Sequence, residues 1–252
     1  MITFSRLGRY GQIGNQMFQI AGTIGVATKQ NDNYAFPAWF NHDGVAKGNM
    51  DESESFMERH FDSILPRIDA YSANRCQRVE VPWGYNPRFR CTNNADLIGH
   101  FQSEKWFKHC ESIIRSTFKF RIKVKSYKGV AVHVRGGDYD GLYHNRLTQK
   151  YYHEAMQIMY ERGHRDFTVF SDDPDFALSV TGMNSIDVKD PIESMCMMSG
   201  YDSNIIANSS FSWWAAWLSG NIDIIAPSQW VGKAAMLDTS DIIPDDWLKI
   251  DV

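Results

Sequence analysis

The sequence predicts an α/β protein whose second half is a parallel, doubly wound sheet. Three observations carry that expectation. From Val130 onward, short apolar runs alternate with segments of helical period, the strand–helix order that builds crossover units. Polar residues gather directly after those apolar runs, as His133/Arg135/Asp138, Ser171/Asp172/Asp173 and Ser209/Ser210/Ser212. Composition is that of a globular chain, 43% hydrophobic and 22% charged over 252 residues, enough for one large domain or two small ones.

Taken in order, Met1 to Ser5 reads as a short first strand. Gly8, Gly11 and Gly14 punctuate the loop after it, and Asn15 to Lys29 follows as a helix, with Met17, Phe18, Ile20, Ala21 and Ile24 at helical spacing. The glycines run G-x-x-G-x-x-G, which is no dinucleotide fingerprint. A strand, a glycine loop and a helix N-terminus still suit an anionic or polyhydroxyl ligand, against the plainer reading of a βα turn. Asn15-Gln16 tilts the balance, because two amides stand at the helix mouth where packing would favour apolar residues. Residues 31–90 are the least regular, with a short strand at Tyr34–Phe36 and loops or edge strands around Pro82, Gly84 and Pro87. Leu97 to Ser103 reads as a strand ending in polar residues, and Glu104 to Phe118 as a helix. The basic stretch from Lys119 to Lys128 reads as a solvated strand face or linker, and the domain boundary is placed at 125/126.

The second half opens with a buried strand through Val130, Val132 and Val134, left by the tight loop at Gly136-Gly137. A helix over Arg146–Arg162, a strand at Phe167–Phe170 and a helix beginning at Pro174 follow. Ser185–Val188 reads as a further strand, Glu193–Tyr201 as a helix, Asn204–Asn208 as a strand running into a helix through Trp213 to Leu218, and Ile222–Ala226 as the last strand. The tail with Trp230 and Trp247 is expected to pack back over the fold, with the N-terminal domain as one place for it to lie.

Composition excludes as well. A net charge of −4 offers no basic footprint for nucleic acid. No apolar run approaches the roughly 18–20 residues of a membrane span, and MITFSRLGRYGQ lacks the pattern of a signal peptide. Cys76, Cys91, Cys110 and Cys196 are widely spaced and read as free thiols of a reducing compartment, neither a zinc site nor a disulfide frame. A cytoplasmic location is the expectation.

Each polar cluster has a plain reading. Arg135 and Asp138 could close a turn as an ion pair with His133 a satisfied core histidine, and the serines could cap a helix. Three such clusters at strand ends of one sheet favour a shared ligand, because parallel sheets bind ligands across the carboxyl ends of their strands. An arginine fork suits a phosphate, serine hydroxyls and helix N–H groups a second one, and a carboxylate the N–H edge of guanine. The residues thus describe a binder of nucleotides or nucleotide sugars that lacks a P-loop.

Five blocks, Gly11–Gln19 (GQIGNQMFQ), Gly99–Ser103 (GHFQS), His133–Tyr139 (HVRGGDY), Phe170–Pro174 (FSDDP) and Asn204–Trp217 (NIIANSSFSWWAAW), resemble in content and order the blocks of the inverting α-1,2-fucosyltransferase family. The resemblance implies a GT-B-like fold of two Rossmann-like doubly wound domains, the N-terminal one (1–125) small, irregular and acceptor-side, the C-terminal one (126–252) binding the donor. It implies transfer of L-fucose from GDP-β-L-fucose, with inversion and without a metal or other cofactor, to a glycan acceptor, the 2-hydroxyl of a galactoside. Fucose transfer with another linkage is its neighbour. By position, Arg135 would meet the donor phosphates, His133 and Asp172 the guanine, and Ser209, Ser210, Phe211 and Ser212 the diphosphate. Asn15 would lie beside the acceptor and the reacting centre, catalytic together with Arg135, and Gly14 and Gln16 of its block would bind the donor. At the donor site Asp138 would hold the loop and Arg135, and Asp173 of the Ser171 block would be a further donor-binding residue. The base that accepts the acceptor's proton is not identified, and the oligomeric state is open.

One departure stands out. The family pattern H-x-R-R-x-D has a second arginine where this chain has Gly136, so the missing cation is left to Lys105 or Arg146, or donor binding is weaker. Two rival readings remain. Asp173-Pro174-Asp175 is formally D-x-D, the pattern of a metal-dependent GT-A transferase, and Gly136 is the one hint of a non-catalytic nucleotide-sugar binder.

Overall fold

The computed structural model describes residues 1–9, 11–39, 56–137, 139 and 144–252. They form two compact units, one of Met1–Ile122 with Ser240–Ile242 and one of Lys123–Thr239 with Ile243–Val252. The division falls at Ile122/Lys123, inside the basic stretch, whose residues 121–126 are exposed.

In the first unit, β1 (Ile2–Thr3), β2 (Gln77–Glu80) and β3 (Ala95–Ile98) form a three-stranded parallel sheet in the order β1-β3-β2. The long helix α1 (Ile13–Lys29) follows β1, and it is buried almost all round, from Ile13 to Ala27. A helix buried on every face belongs inside a core, and here Gln16, Gln19 and Thr23 are buried with the apolar residues. Phe18, Phe101, Trp106 and Phe107 are part of that core. Asp96 on β3 is 1% exposed and accepts hydrogen bonds from the Ser5 backbone N–H (2.7 Å) and hydroxyl (2.6 Å), which satisfies its charge inside the fold. The short helices α2 (Phe56–His60) and α3 (Ala70–Asn74) complete the unit with α4 (Glu111–Thr117). The helix expected over Glu104–Phe118 is broken: two 3-10 turns, Glu104–Trp106 and Lys108–Cys110, precede α4. Ser103 caps the first of these turns through the Lys105 N–H, a local bond that sets a tight start.

In the second unit, β4 (Tyr127–Val134), β5 (Phe167–Ser171), β6 (Tyr201–Ile205), β7 (Ile224–Pro227) and β8 (Leu248–Ile250) form a wholly parallel sheet in the order β5-β4-β6-β7-β8. The connections carry α5 (Gln149–Glu161), α6 (Pro174–Thr181), α7 (Pro191–Met198) and α8 (Ser210–Ser219). The chain lays β5 on one side of β4 and then crosses to β6 on the other, which makes the β4/β6 junction the switch point of the sheet. Val130, Val132 and Val134 pack with Tyr151, Tyr152, Ala155 and Met159 of α5 and with Ala177 and Val180 of α6. Burial on both faces explains why β4 reads as a continuous apolar run. The tryptophans of α8 are core as well: Trp213 stacks on Trp217, and its ring centroid lies 5.5 Å from that of Trp247 in the tail.

Two further expectations change. The strand expected at Asn204–Asn208 ends at Ile205 and begins at Tyr201, because the polar residues of β6 are satisfied sideways: Asn204 donates to the Met198 carbonyl and the Ser203 hydroxyl bonds the His164 imidazole. Ser185–Val188 forms only a single bridge, Ser185 to Val169. The tail contributes β8 to the second sheet, while residues 240–242 group with the first unit. Among the described residues no helix is long and apolar enough to cross a membrane, and all four cysteines are free.

Gly129 sits where the pairing of β4 with β6 shifts register, at φ +92°, and a Cβ there would lie 2.2 Å from the Asp166 carbonyl oxygen. Both the left-handed backbone and the close approach require glycine. Gly129→Ala is expected to lower the stability of the second unit by about 1–3 kcal/mol. Equilibrium urea unfolding followed by tryptophan fluorescence checks this, and an unchanged midpoint would contradict it.

Candidate functional site

Parallel pairing brings the ends of β4 and β5 level, with His133 opposite Phe170 and Val134 opposite Ser171. The next residues on each strand therefore meet. Arg135 Nη1 lies 2.8 Å from Asp172 Oδ2, and the Gly136 backbone N–H donates to Asp172 Oδ1 at 3.0 Å. One carboxylate thus holds both a guanidinium and a backbone N–H of the loop that leaves β4. The arginine side chain is 16% exposed, and its guanidinium lies over the Tyr139 ring at 5.6 Å. Partial burial and several contacts fix its fork in place, which a solvated lysine could not match.

Asp173 plays a different part. Its side chain caps α6 by accepting from the Phe176 N–H at 3.0 Å, while the Ser171 hydroxyl bonds its backbone. The middle residue of D-x-D, Pro174, is the first residue of that helix. Gly136 packs directly on this capped turn: a Cβ there would lie 2.8 Å from both Asp173 Cβ and Phe176 Cδ1. The glycine in the motif is therefore a consequence of close packing.

His133, 4% exposed, faces the switch point, and its ring centroid is 5.5 Å from that of Phe211 at the start of α8. Its carbonyl accepts from the Tyr152 hydroxyl at 3.2 Å, while Nδ1 has no partner among the described residues. Burial pushes the imidazole down to about 4; the Asp172 carboxylate pulls the other way and Arg135 adds to the depression. The ring is neutral at neutral pH, with one buried nitrogen available.

Across the switch point the serine cluster divides. Ser209 takes the N-cap position of α8, yet its side chain makes no cap bond. Ser212 is fully buried, and its hydroxyl donates inward to the carbonyls of Ala207 and Ser209. The structure thus leaves Ser209, Ser210 and Phe211 at the helix mouth and turns Ser212 into the fold. Asp138 lies outside the described residues. Asn15, Gly14 and Gln16 belong to the first unit. There Asn15 Oδ1 accepts from Gln102 Nε2 at 2.6 Å, joining two of the five blocks. Gln16 is wholly buried, donating to the Gly11 carbonyl at 2.7 Å and accepting from the Trp39 indole, so it pins the loop. Lys105 is paired with Asp241 in the same unit.

Three residues of this region escaped the sequence reading. Asn208 donates through Nδ2 to the carbonyls of Asn145 and Trp230, both at 3.0 Å, and its own carbonyl accepts from the Tyr139 hydroxyl at 2.7 Å. It ties together the loops after β4, β6 and β7. Tyr151 and Tyr152 read as apolar helix positions, but their hydroxyls bond the carbonyls of Ile206 and His133. Two adjacent tyrosines on a buried helix face were the available signal, since a buried phenol seeks an acceptor.

Among the described residues no group of three or more His, Cys, Asp or Glu side chains could hold a metal ion. The arrangement offers one fixed arginine, a helix N-terminus and a neutral histidine at the carboxyl ends of neighbouring parallel strands.

Comparison with known proteins gives the following. Glycosyl transferase family 11 matches residues 88–251. An alpha-1,2-colitosyltransferase of Escherichia coli is 28% identical over 283 aligned positions, covering 96% of this chain and 97% of that protein. The O-antigen biosynthesis glycosyltransferase WbnK of Escherichia coli is 30% identical over 135 positions, 48% of this chain and 44% of that protein. The apo-form crystal structure of POFUT1 aligns over 89% of this chain and 97% of that one, at 11% identity and a TM-score of 0.48.

His133 also sets a pH dependence. Its folded value lies below its ordinary 6.5, so the unfolded chain takes up the proton first as pH falls. Stability from the neutral, buried ring is complete above about 6.5 and is lost through the window down to about 4. Urea midpoints measured across that window should fall more steeply for the natural protein than for His133→Gln. Parallel curves would show that the ring is not buried neutral.

Proposed function

Because the chain belongs to glycosyl transferase family 11, we propose that it transfers L-fucose from GDP-β-L-fucose to a hydroxyl of a glycan acceptor, the 2-hydroxyl of a galactoside, with inversion to an α-1,2 linkage. The observation that carries this reading is the Arg135–Asp172–Gly136 cluster at the carboxyl end of β4, the strand that borders the switch point where a parallel sheet takes a nucleotide.

In this mechanism the acceptor oxygen forms its bond to the anomeric carbon on the face opposite the phosphate. The bond from that carbon to the phosphate oxygen breaks, its electron pair leaves with GDP, and the acceptor's proton passes to a base that is not assigned. Charge grows on the departing diphosphate. Arg135 and the N–H groups at the start of α8 meet it as donors already in place, so no reorganisation is needed as it develops. His133, neutral and with Nδ1 available, and Phe211 suit the guanine, one through a hydrogen bond and the other through its apolar face. Asn15, in the first unit, is assigned to the acceptor side. Asp172 is assigned to orienting Arg135, since both its oxygens are already engaged by the loop. No metal is assigned.

A second reading differs only in the sugar. The similarity to an alpha-1,2-colitosyltransferase over 96% of this chain favours colitose, which is L-fucose without its 3-hydroxyl. Release of GDP over a panel of GDP-fucose, GDP-colitose, GDP-mannose and UDP-sugars separates the two. The expected result is turnover of a GDP-linked 6-deoxy sugar, unchanged in EDTA. Loss of activity in EDTA would move the assignment to a metal-dependent transferase, and binding without acceptor-dependent GDP release to a non-catalytic binder.

Arg135→Ala is expected to cost about 10²- to 10³-fold in kcat, as loss of a donor to the developing anion does. Its circular dichroism should match that of the natural protein. Near-normal turnover in that variant would remove Arg135 from the chemistry.

A further inference from the structure

Arg135 is a guanidinium already paired. Its partnership with Asp172 at 2.8 Å leaves a pair close to neutral, whereas a nucleoside diphosphate brings at least two negative charges. A site built on that pair alone would be short of positive charge. The adjacent position cannot supply it: the backbone of Gly136 rests on the capped first turn of α6, with Asp173 Cβ and Phe176 Cδ1 each 2.8 Å from where a Cβ would stand.

A second arginine reaches the same place from another loop. The guanidinium of Arg146 lies over the Phe176 ring at 5.1 Å, the ring that closes off position 136. Its Nε donates to the Tyr139 carbonyl at 2.9 Å, and the ring of the same tyrosine lies under Arg135. Tyr139 thus contacts both arginines, one through its ring and the other through its carbonyl. Nε and the guanidinium face are occupied, while the two terminal nitrogens of Arg146 have no hydrogen-bond partner among the described residues. They are two parallel donors of the kind that grips a phosphate. Arg146 also lines a cavity of about 630 Å³ with Tyr139, Asn145, Thr148 and Gln229, where the loops after β4 and β7 meet. The other candidate cation, Lys105, is in the first unit and is paired with Asp241.

We infer that Arg146 is a phosphate-binding residue of the donor site, supplying from the loop before α5 the positive charge that position 136 has no room to carry. The inference rests on the proposed reading of this region as a nucleoside diphosphate site. It does not depend on which base or sugar is bound.

Calorimetric titration of the full chain with GDP, UDP and guanosine tests it, using the natural protein, Arg146→Met and Arg146→Lys. Arg146→Met keeps an apolar side chain beside Phe176 and removes the guanidinium that lies over that ring. The expected result is GDP binding weakened about 10- to 100-fold in Arg146→Met, partly retained in Arg146→Lys, with guanosine affinity changed less than about twofold in both. Equal GDP affinity in Arg146→Met and the natural protein overturns the inference and leaves the donor reading standing. Equal losses for GDP and guanosine also overturn it, because they mark a structural role. A natural protein that binds no nucleoside diphosphate overturns both together.

Discussion

The second unit is organised around the carboxylate of Asp172. In a parallel sheet the last N–H groups beyond the ladder have no strand to pair with, and the loop leaving β4 must satisfy them some other way. Asp172 does so with one oxygen, accepting from Gly136, and spends the other on Arg135. The charge therefore arrives where the backbone already needs an acceptor. Because the pair is only partly exposed, removal of either member strands a charge in a poorly hydrated place, a larger loss than a surface ion pair represents. The geometry that suits Arg135 to a ligand is thus the same geometry that closes the turn. Fold stability and preorganisation are not separable at this position.

The same economy explains Gly136. Asp173 caps α6, Ser171 locks the cap, and Phe176 covers the first turn, so the loop from β4 finds a rigid surface at contact distance. Only a residue without a side chain can follow that path. A position that appears in sequence as a missing cation is, in space, the contact between a loop and a helix N-terminus. On the proposed reading, charge then enters from a neighbouring loop that is free of this constraint.

Much of the second unit was legible because its signals are local. A buried parallel strand gives a continuous apolar run, as β4 does, and Pro174 after two aspartates marks the start of α6. The helix at Trp213–Leu218 could be read from its apolar tryptophans. What could not be read were features satisfied at long range. β6 is Tyr-Asp-Ser-Asn-Ile, a poor strand by composition, and it is stable because Asn204 and Ser203 find partners on the helix and loop beside it. Asn15 and Gln16 are adjacent amides with the same local signal. One bonds the Gln102 side chain and the other is wholly buried between Gly11 and Trp39. Likewise, Ser209 and Ser212 look alike in sequence, but helical geometry returns Ser212 to the strand-end carbonyls. In each case the sequence names the functional group, and the partner that decides its role lies elsewhere in the chain.

Net charge adds a further constraint. The chain carries −4, so its overall field opposes a dianionic ligand, and long-range steering cannot gather one. Attraction must come within a few ångströms, from donors arranged before the ligand arrives. At such distances, in a partly buried crevice, salt screens little, whereas beyond about 10 Å at moderate ionic strength it screens most of the repulsion. Binding should then depend on donor geometry more than on total charge. Its salt dependence should be shallow for so anionic a ligand, because salt weakens the overall repulsion while leaving the contacts proposed for Arg135 and the start of α8 largely intact.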